Sequence, residues 1–237
     1  MHMGFGFYYD PTYILVIIGA LLTLAASGYV QSSFARYAKV RCASGLTGAQ
    51  AAERILRSQG IYNVRIERVR GQLTDYYNPA DKVLRLSDSV YGVSSVAAVC
   101  VAAHECGHAV QDSVNYQPLR LRSAIVPVVN FGSRLSWPLI IIGLLLNGSV
   151  SQFFLVSGLV LFGLVVLFQL VTLPVEINAS SRAIAILQGQ GILGGSEING
   201  AKSVLRAAAL TYVAALASSV LQLLRLLILV GGKRRDD

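Results

Sequence analysis

His104-Glu105-Cys106-Gly107-His108 sets two imidazoles four residues apart, with a carboxylate directly after the first. On a helix, residues i and i+4 share one face about a turn apart, so both rings can reach one zinc ion. The glutamate between them can approach a water held there and act as general base. From this chain's own composition, about 0.0008 such strings are expected by chance. Two of only three histidines fall within it. The preceding stretch, 96–103, is small and apolar all round, so this helix is expected to be buried. Unpaired polar groups in such a helix cost about 1–3 kcal/mol each. Packed or capping histidines are the plainer alternative, but a zinc ion answers that need directly.

A catalytic zinc takes three protein ligands and keeps one position open. The remaining histidine, His2, lies at the far side of the first apolar run. Cys106 sits between the two histidines on another helix face, and Cys100 is a turn back. Glu53 and Glu67 fall in a capped helix and on the charged face of a strand, where water solvates them. Glu197 reads as a first-turn acid of a later helix. Glu176 follows Pro174 at the end of a long apolar run and opens a segment of small residues, 176–183. It is the expected third ligand. A carboxylate at a membrane boundary, satisfied by water or by Arg182, is the alternative.

The elements that must position these residues are largely apolar helices. Hydrophobic residues make up 54% of the 237 and charged residues only 14%, with mean hydropathy +0.58. A soluble domain carries about 25% charged residues, so this composition excludes an ordinary soluble enzyme, a disordered chain and a collagen-like fibre. Apolar runs cover 13–30, 124–146, 150–173 and 207–230. Each is long enough to cross a bilayer. Tyr8, Tyr9 and Tyr29 flank the first as an aromatic belt would. Pro127 and Pro138 interrupt the second. Asn147-Gly148-Ser149 is a tight turn that makes runs two and three a hairpin. Arg225, inside run four, marks either a functional pathway or a snorkelling side chain.

Between runs one and two the texture changes. Thr47 and Gln50 form a capping box for a helix running to about Gln59, with Gly60 at C′. Residues 63–69 alternate as a half-buried strand does, 71–75 offer a second short strand, and Tyr77-Asn78-Pro79 is turn chemistry. Residues 82–86 alternate again and should pair with the first strand. Ser94 or Ser95 can then cap the helix that carries the two histidines and runs to about Asp112. The expected organisation is an anchor over 1–35, a catalytic unit over 36–121, a membrane hairpin over 122–173, a third-ligand segment over 174–206 and a last membrane helix with a basic tail over 207–237.

Twelve Lys and Arg lie between 31 and 123, and none lies in the hairpin turn. That asymmetry puts the catalytic unit on the cytoplasmic side. The tail Lys233-Arg234-Arg235 pulls the other way, so the side of the C-terminus stays open. Net charge is +8 with pI about 9.6. Here it reports orientation and contact with anionic membrane lipid, and no nucleic-acid partner is expected. The three cysteines give neither paired spacing nor an even count, which fits a reducing compartment. No basic segment precedes the first run, which reads as an anchor rather than a cleaved leader.

The strings TDYYNPADKVLRLSDSVY, AAHECGHAVQ and QLVTLPVEINASSRA resemble the YugP-like family of bacterial membrane zinc metallopeptidases over nearly the whole chain. More loosely the chain is similar to HtpX-type metalloproteases of the gluzincin kind. The resemblance implies one Zn²⁺ per chain held by His104, His108 and Glu176, with Glu105 as base. It implies an α-helical integral membrane protein of the bacterial cell membrane, with about four membrane helices and a small cytoplasmic α+β zincin-like unit. Two positions depart from the pattern. Ser180 stands where related gluzincins have an aspartate that orients the first histidine, leaving Ser180 or Asn178 for that task. Tyr76 stands where the family has histidine.

The function expected is a zinc-dependent endopeptidase acting on a polypeptide. Arg182, Tyr76 and Tyr77 are candidate donors to the tetrahedral oxyanion. The strand Lys82, Val83, Leu84, Arg85, Leu86 is a candidate to accept an extended substrate by strand addition, the alternative being an ordinary sheet strand. Two other classes compete: a non-catalytic membrane scaffold with a zinc-stabilised core, and a metal transporter. The transporter is disfavoured because the candidate ligands lie outside the apolar runs. Substrate identity and oligomeric state are not legible.

Overall fold

The computed structural model describes residues 10–236, with side chains to residue 232. His2, Tyr8 and Tyr9 and the side chains of Lys233, Arg234 and Arg235 fall outside the described residues. Helix α1 (Tyr13–Ala38) is followed by α2 (Gly48–Ser58), strands β1 (Arg65–Val69), β2 (Tyr76–Asn78) and β3 (Val83–Ser87), and helices α3 (Val96–Ser113), α4 (Gln117–Leu145), α5 (Gly148–Gly189) and α6 (Gly195–Asp236). Helices α1, α4, α5 and α6 are each long and apolar enough to cross a membrane. The protein is a helical membrane protein with a small α+β unit.

At 1.5 Å per residue α5 is about 63 Å long, roughly twice a bilayer's hydrocarbon thickness. The apolar run is therefore only its first part, and the same helix continues past the membrane boundary to carry Glu176. Pro174 does not break it, and Pro127 and Pro138 do not break α4. The sequence reads Pro127 and Pro138 as interruptions. In helices packed within a membrane, neighbouring groups and local adjustment absorb the lost hydrogen bond.

Two compact units can be described separately. The first comprises residues 1–24, 127–167 and 214–237. Its core is Ile140, Leu155, Phe162, Val166 and Leu226, with Trp137 edge-on to Phe162 at 6.3 Å. Arg225 here does not snorkel. It donates to Asp10 Oδ2 at 3.1 Å and stacks over Tyr13, 4.2 Å from the ring centre. Lower down, a side chain at Gly19 would collide with Ser218 Oγ at 2.6 Å. The start of α1 thus lies against the end of α6, and the two helices run antiparallel.

The second unit comprises residues 25–126 and 168–213. Its sheet has the order β1-β3-β2, with β1 parallel and β2 antiparallel to β3. Residues 63–69 and 82–86 pair as the alternation requires, Arg65 opposite Val83 and Val69 opposite Ser87. Two local expectations are corrected. Residues 71–75 form no strand: Gly71 and Leu73 take positive φ, and the Asp75 carboxylate accepts from Ser87 N and Oγ. Tyr77 and Asn78 belong to β2, and the turn follows them, closed by Asn78 Oδ1 accepting from Ala80 N.

The capping box of α2 forms, with Thr47 accepting from Gln50 N and the Gln50 side chain accepting from Thr47 N. Its buried face, Ala51, Ala52, Ile55 and Leu56, packs on α3. Ser95 caps α3 through its hydroxyl at Ala98 N. Gly107 marks where α3 crosses α5: a Cβ there would sit 2.5 Å from Ala179 O. Only glycine lets the backbones approach this closely, and the crossing sets His104 and His108 beside Glu176.

The antiparallel pairing of α1 and α6 puts Asp10 and Gly232 at the same end of the helix pair. Single cysteines in place of Thr12 and Gly232 are expected to react with an impermeant maleimide from the same face. Labelling from opposite faces would contradict the pairing.

Candidate metal centre

His104, Glu105 and His108 all come from α3, within the buried stretch that the sequence predicts. His104 and His108 lie a turn apart with ring centres 4.8 Å from each other. Glu176, from α5, is 2% exposed and reaches both rings: its Oε2 lies 3.2 Å from His104 Nε2 and 3.5 Å from His108 Nε2. One donor atom from each of the three residues lies within 4.8 Å of the other two. In a tetrahedral zinc site with bonds of 2.0–2.1 Å, neighbouring ligand atoms stand about 3.4 Å apart. The donor set and its spacing both fit zinc.

Each imidazole is turned by a hydrogen bond at its other nitrogen, which leaves Nε2 for a metal. Ser180 Oγ is 3.1 Å from His104 Nδ1, so this hydroxyl stands where the resemblance implies an aspartate. His108 Nδ1 is 3.0 Å from Gln111 Oε1. Gln111 is fully buried, and its amide nitrogen donates to Val175 O and to Asn178 Oδ1. Asn178 therefore serves the second histidine through Gln111, not the first. The outer oxygen of Glu176 accepts from Arg122 at 3.0 Å. Burial would lower the pKa of His108, but hydrogen bonding to Glu176 and the nearby charge of Glu105 outweigh it and raise it overall.

Glu105 is 8% exposed, and its carboxylate makes no hydrogen bond or ion pair with any described residue. It lies where two cavities meet. One, of about 270 Å³, is bounded by Tyr76, Tyr77, Pro79, Arg122 and Ser123. The other, of about 260 Å³, is mostly apolar and bounded by Val30, Phe34, Leu73, Val101 and Ala208. Asp75, His104, Glu105 and Tyr212 line both, so the cleft is open on either side of Glu105. Burial raises the pKa of Asp75 against the opposing hydrogen bonds from Ser87.

Of the residues singled out as oxyanion donors, Tyr76 and Tyr77 line the cleft, but only Tyr76 keeps its O–H free to donate. Tyr77 donates to Asp112 at 2.6 Å, and Tyr76 accepts from Arg85 at 2.8 Å. Burial, with the Asp112 charge, makes Tyr77 harder to ionise. Arg182 borders neither cavity. It lies nearly two turns beyond Glu176, and its guanidinium donates to Asn178. The strand expected to receive substrate is also displaced. Within β3, Val83, Leu84 and Arg85 are paired on both sides, Leu86 is paired with Arg68 of β1, and Lys82 is bound to Asp112. A central strand has no free edge to extend. The free edge beside the cleft belongs to β2.

Sequence reasoning missed Gln111, Arg122 and Tyr212. Gln111 was legible: 104, 108 and 111 follow i, i+4, i+7, one polar face on an otherwise apolar helix. Arg122 reads only as a charge before an apolar run. Tyr212 reads as an isolated aromatic inside one.

Over residues 12–231 the chain matches a family described as "Putative neutral zinc metallopeptidase". It is 48% identical, over 226 residues, to "Putative membrane protease YugP" of Bacillus subtilis (strain 168), covering 95% of this chain and 99% of that protein. No solved structure matches it.

Because Gln111 is the partner of His108 Nδ1 among the described residues, Gln111→Ala is expected to weaken zinc binding by about 10–100-fold. Chelator competition on the purified protein measures this. Unchanged affinity would show that Gln111 only packs.

Proposed function

The chain belongs to this neutral zinc metallopeptidase family, and from that premise we propose that it is a membrane-bound endopeptidase using one zinc ion per chain. The observation that carries the reading is the meeting of His104, His108 and Glu176 at one point, with a buried, unpartnered Glu105 in the same open cleft. His104, His108 and Glu176 would hold the zinc, which when bound supplies a Lewis acid.

The chain's own residues do the rest. Glu105 takes a proton from the attacking water as the new C–O bond forms, and returns it to the amine nitrogen as the C–N bond breaks. With no competing partner, its carboxylate is free to carry that proton. Ser180, Gln111 and Arg122 keep the three ligands in place. Tyr212 lines both cavities with its hydroxyl beside the Glu176 carboxylate, and that hydroxyl, once turned to the substrate, is the donor we assign to the developing oxyanion. An extended polypeptide would lie along the free edge of β2, pairing its backbone with the strand and passing Glu105 from one cavity to the other. A cleft open on both sides admits an internal segment of chain, which is what an endopeptidase needs. The basic residues of 31–123 would hold this unit on the cytoplasmic face of a bacterial cell membrane.

Purified wild type, Glu105→Gln and Tyr212→Phe are compared for cleavage of a fluorescent casein and for zinc content. Glu105→Gln is expected to lose at least about 100-fold in kcat while keeping zinc near one per chain. Tyr212→Phe is expected to lose about 10–100-fold in kcat with KM little changed. Full turnover in Glu105→Gln would overturn the mechanism, and a zinc-loaded wild type that cleaves nothing would favour a scaffold.

A further inference from the structure

The part of α5 beyond the apolar run lies beside the start of α6, next to the cleft, with Leu205 bordering both. From α5, Ile177, Ser180, Ser181 and Ile184 follow i, i+3, i+4, i+7 and share one face. From α6, Lys202, Leu205, Arg206 and Ala209 repeat that spacing. Between the two faces is a cavity of about 360 Å³, within the size range of ligand sites. Its walls are mostly apolar, and Ile177 is 47% exposed. Both of its charged residues are cations, Lys202 and Arg206, and no acidic residue borders it. Neither cation has a hydrogen-bond or ion-pair partner among the described residues. Ion pairing elsewhere takes up other cations of this unit: Arg57 meets Glu53, Arg68 meets Asp88 and Arg85 meets Glu67.

The level of this cavity is read from the apolar runs. They end at residue 173 on α5 and begin at residue 207 on α6, which sets the hydrocarbon boundary. Arg206 stands at that boundary. Lys202, four residues earlier, is about 6 Å further out, within the headgroup layer. Ala209 lies just inside the apolar run of α6, whereas Ile177, four residues past 173, stands about 6 Å outside the run of α5, level with Lys202. The cavity therefore reaches the hydrocarbon edge at Ala209 and is cationic at phosphate level, where Arg206 and Lys202 stand.

We propose that this cavity is a binding site for an anionic phospholipid, its phosphate between Lys202 and Arg206, its glycerol end against Ile177 and Leu205, and an acyl chain leaving past Ala209 into the hydrocarbon. Unpaired cations at the headgroup layer attract anionic lipid, and an apolar slot opening beneath them holds the chain. Ser180 gives the site a second consequence. It borders this cavity while its hydroxyl is 3.1 Å from His104 Nδ1, so a bound lipid would rest against the residue that orients a candidate zinc ligand.

The test uses the full chain in detergent, titrated with phosphatidylglycerol and phosphatidylcholine and read by native mass spectrometry. Phosphatidylglycerol is expected to bind at least about tenfold more tightly. The double variant Lys202→Gln/Arg206→Gln should lose that preference, at about fivefold per cation. Lys202→Arg/Arg206→Lys should keep it, separating charge from disruption of the fold. Ala209→Leu, which fills the slot, should weaken both lipids. Unchanged phosphatidylglycerol binding in the charge-removed variant or in Ala209→Leu would overturn the site. So would displacement of the lipid by glycerol 3-phosphate at equal concentration, which would mark an anion site without a chain slot.

Discussion

A carboxylate buried between two imidazoles is the constraint on which the rest of this structure depends. Glu176 is almost wholly out of water, and such a charge persists in a protein only where partners surround it. Here one oxygen meets both Nε2 atoms and the other meets Arg122. The donors come from two helices, α3 and α5, that are 72 residues apart along the chain at His104 and Glu176. Whatever brings these helices together also builds the centre, and a metal bound there would in turn hold them together.

The crossing tolerates little change. Gly107 lies within the two-histidine string, yet its role is packing: it lets the backbone of α3 reach Ala179. One turn of α5 on either side of that point supplies Glu176 and Ser180, while Asn178 holds Gln111. A shift of either helix by one residue would remove the ligand, its orienting hydroxyl and the amide bridge together. The segment around Glu176 is rich in small residues because it is a close-packed helix face before it is anything else.

The membrane helices are also working parts of the second unit. Helix α5 is longer than any bilayer requires, and its excess carries Glu176, Ser180 and the wall of the α5–α6 cavity. Helix α6 contributes Tyr212 to the cleft and Lys202 and Arg206 to that cavity. Conditions at the bilayer boundary can therefore reach the candidate centre through ordinary side-chain contact.

The sequence by itself determined whatever depends on short spacing. The two histidines and Glu105, the capping box at Thr47, the hairpin turn at 147–149, the four apolar helices and the pairing of 63–69 with 82–86 are all set within a few residues of one another or by simple periodicity. Glu176 could be reached by elimination, because so few acids are available in this chain. Tertiary structure alone decided which groups meet across distance. The central position of β3, which closes it to substrate, follows from β2 folding back onto its second edge. The displacement of Arg182 from the cleft and the recruitment of Arg122 depend on how α4 and α5 are rotated about their axes. The pairing of Arg225 with Asp10 depends on two chain ends 215 residues apart. None of these leaves a local signal, because a side chain's type says what it can bond, whereas packing of distant helices decides what stands within reach.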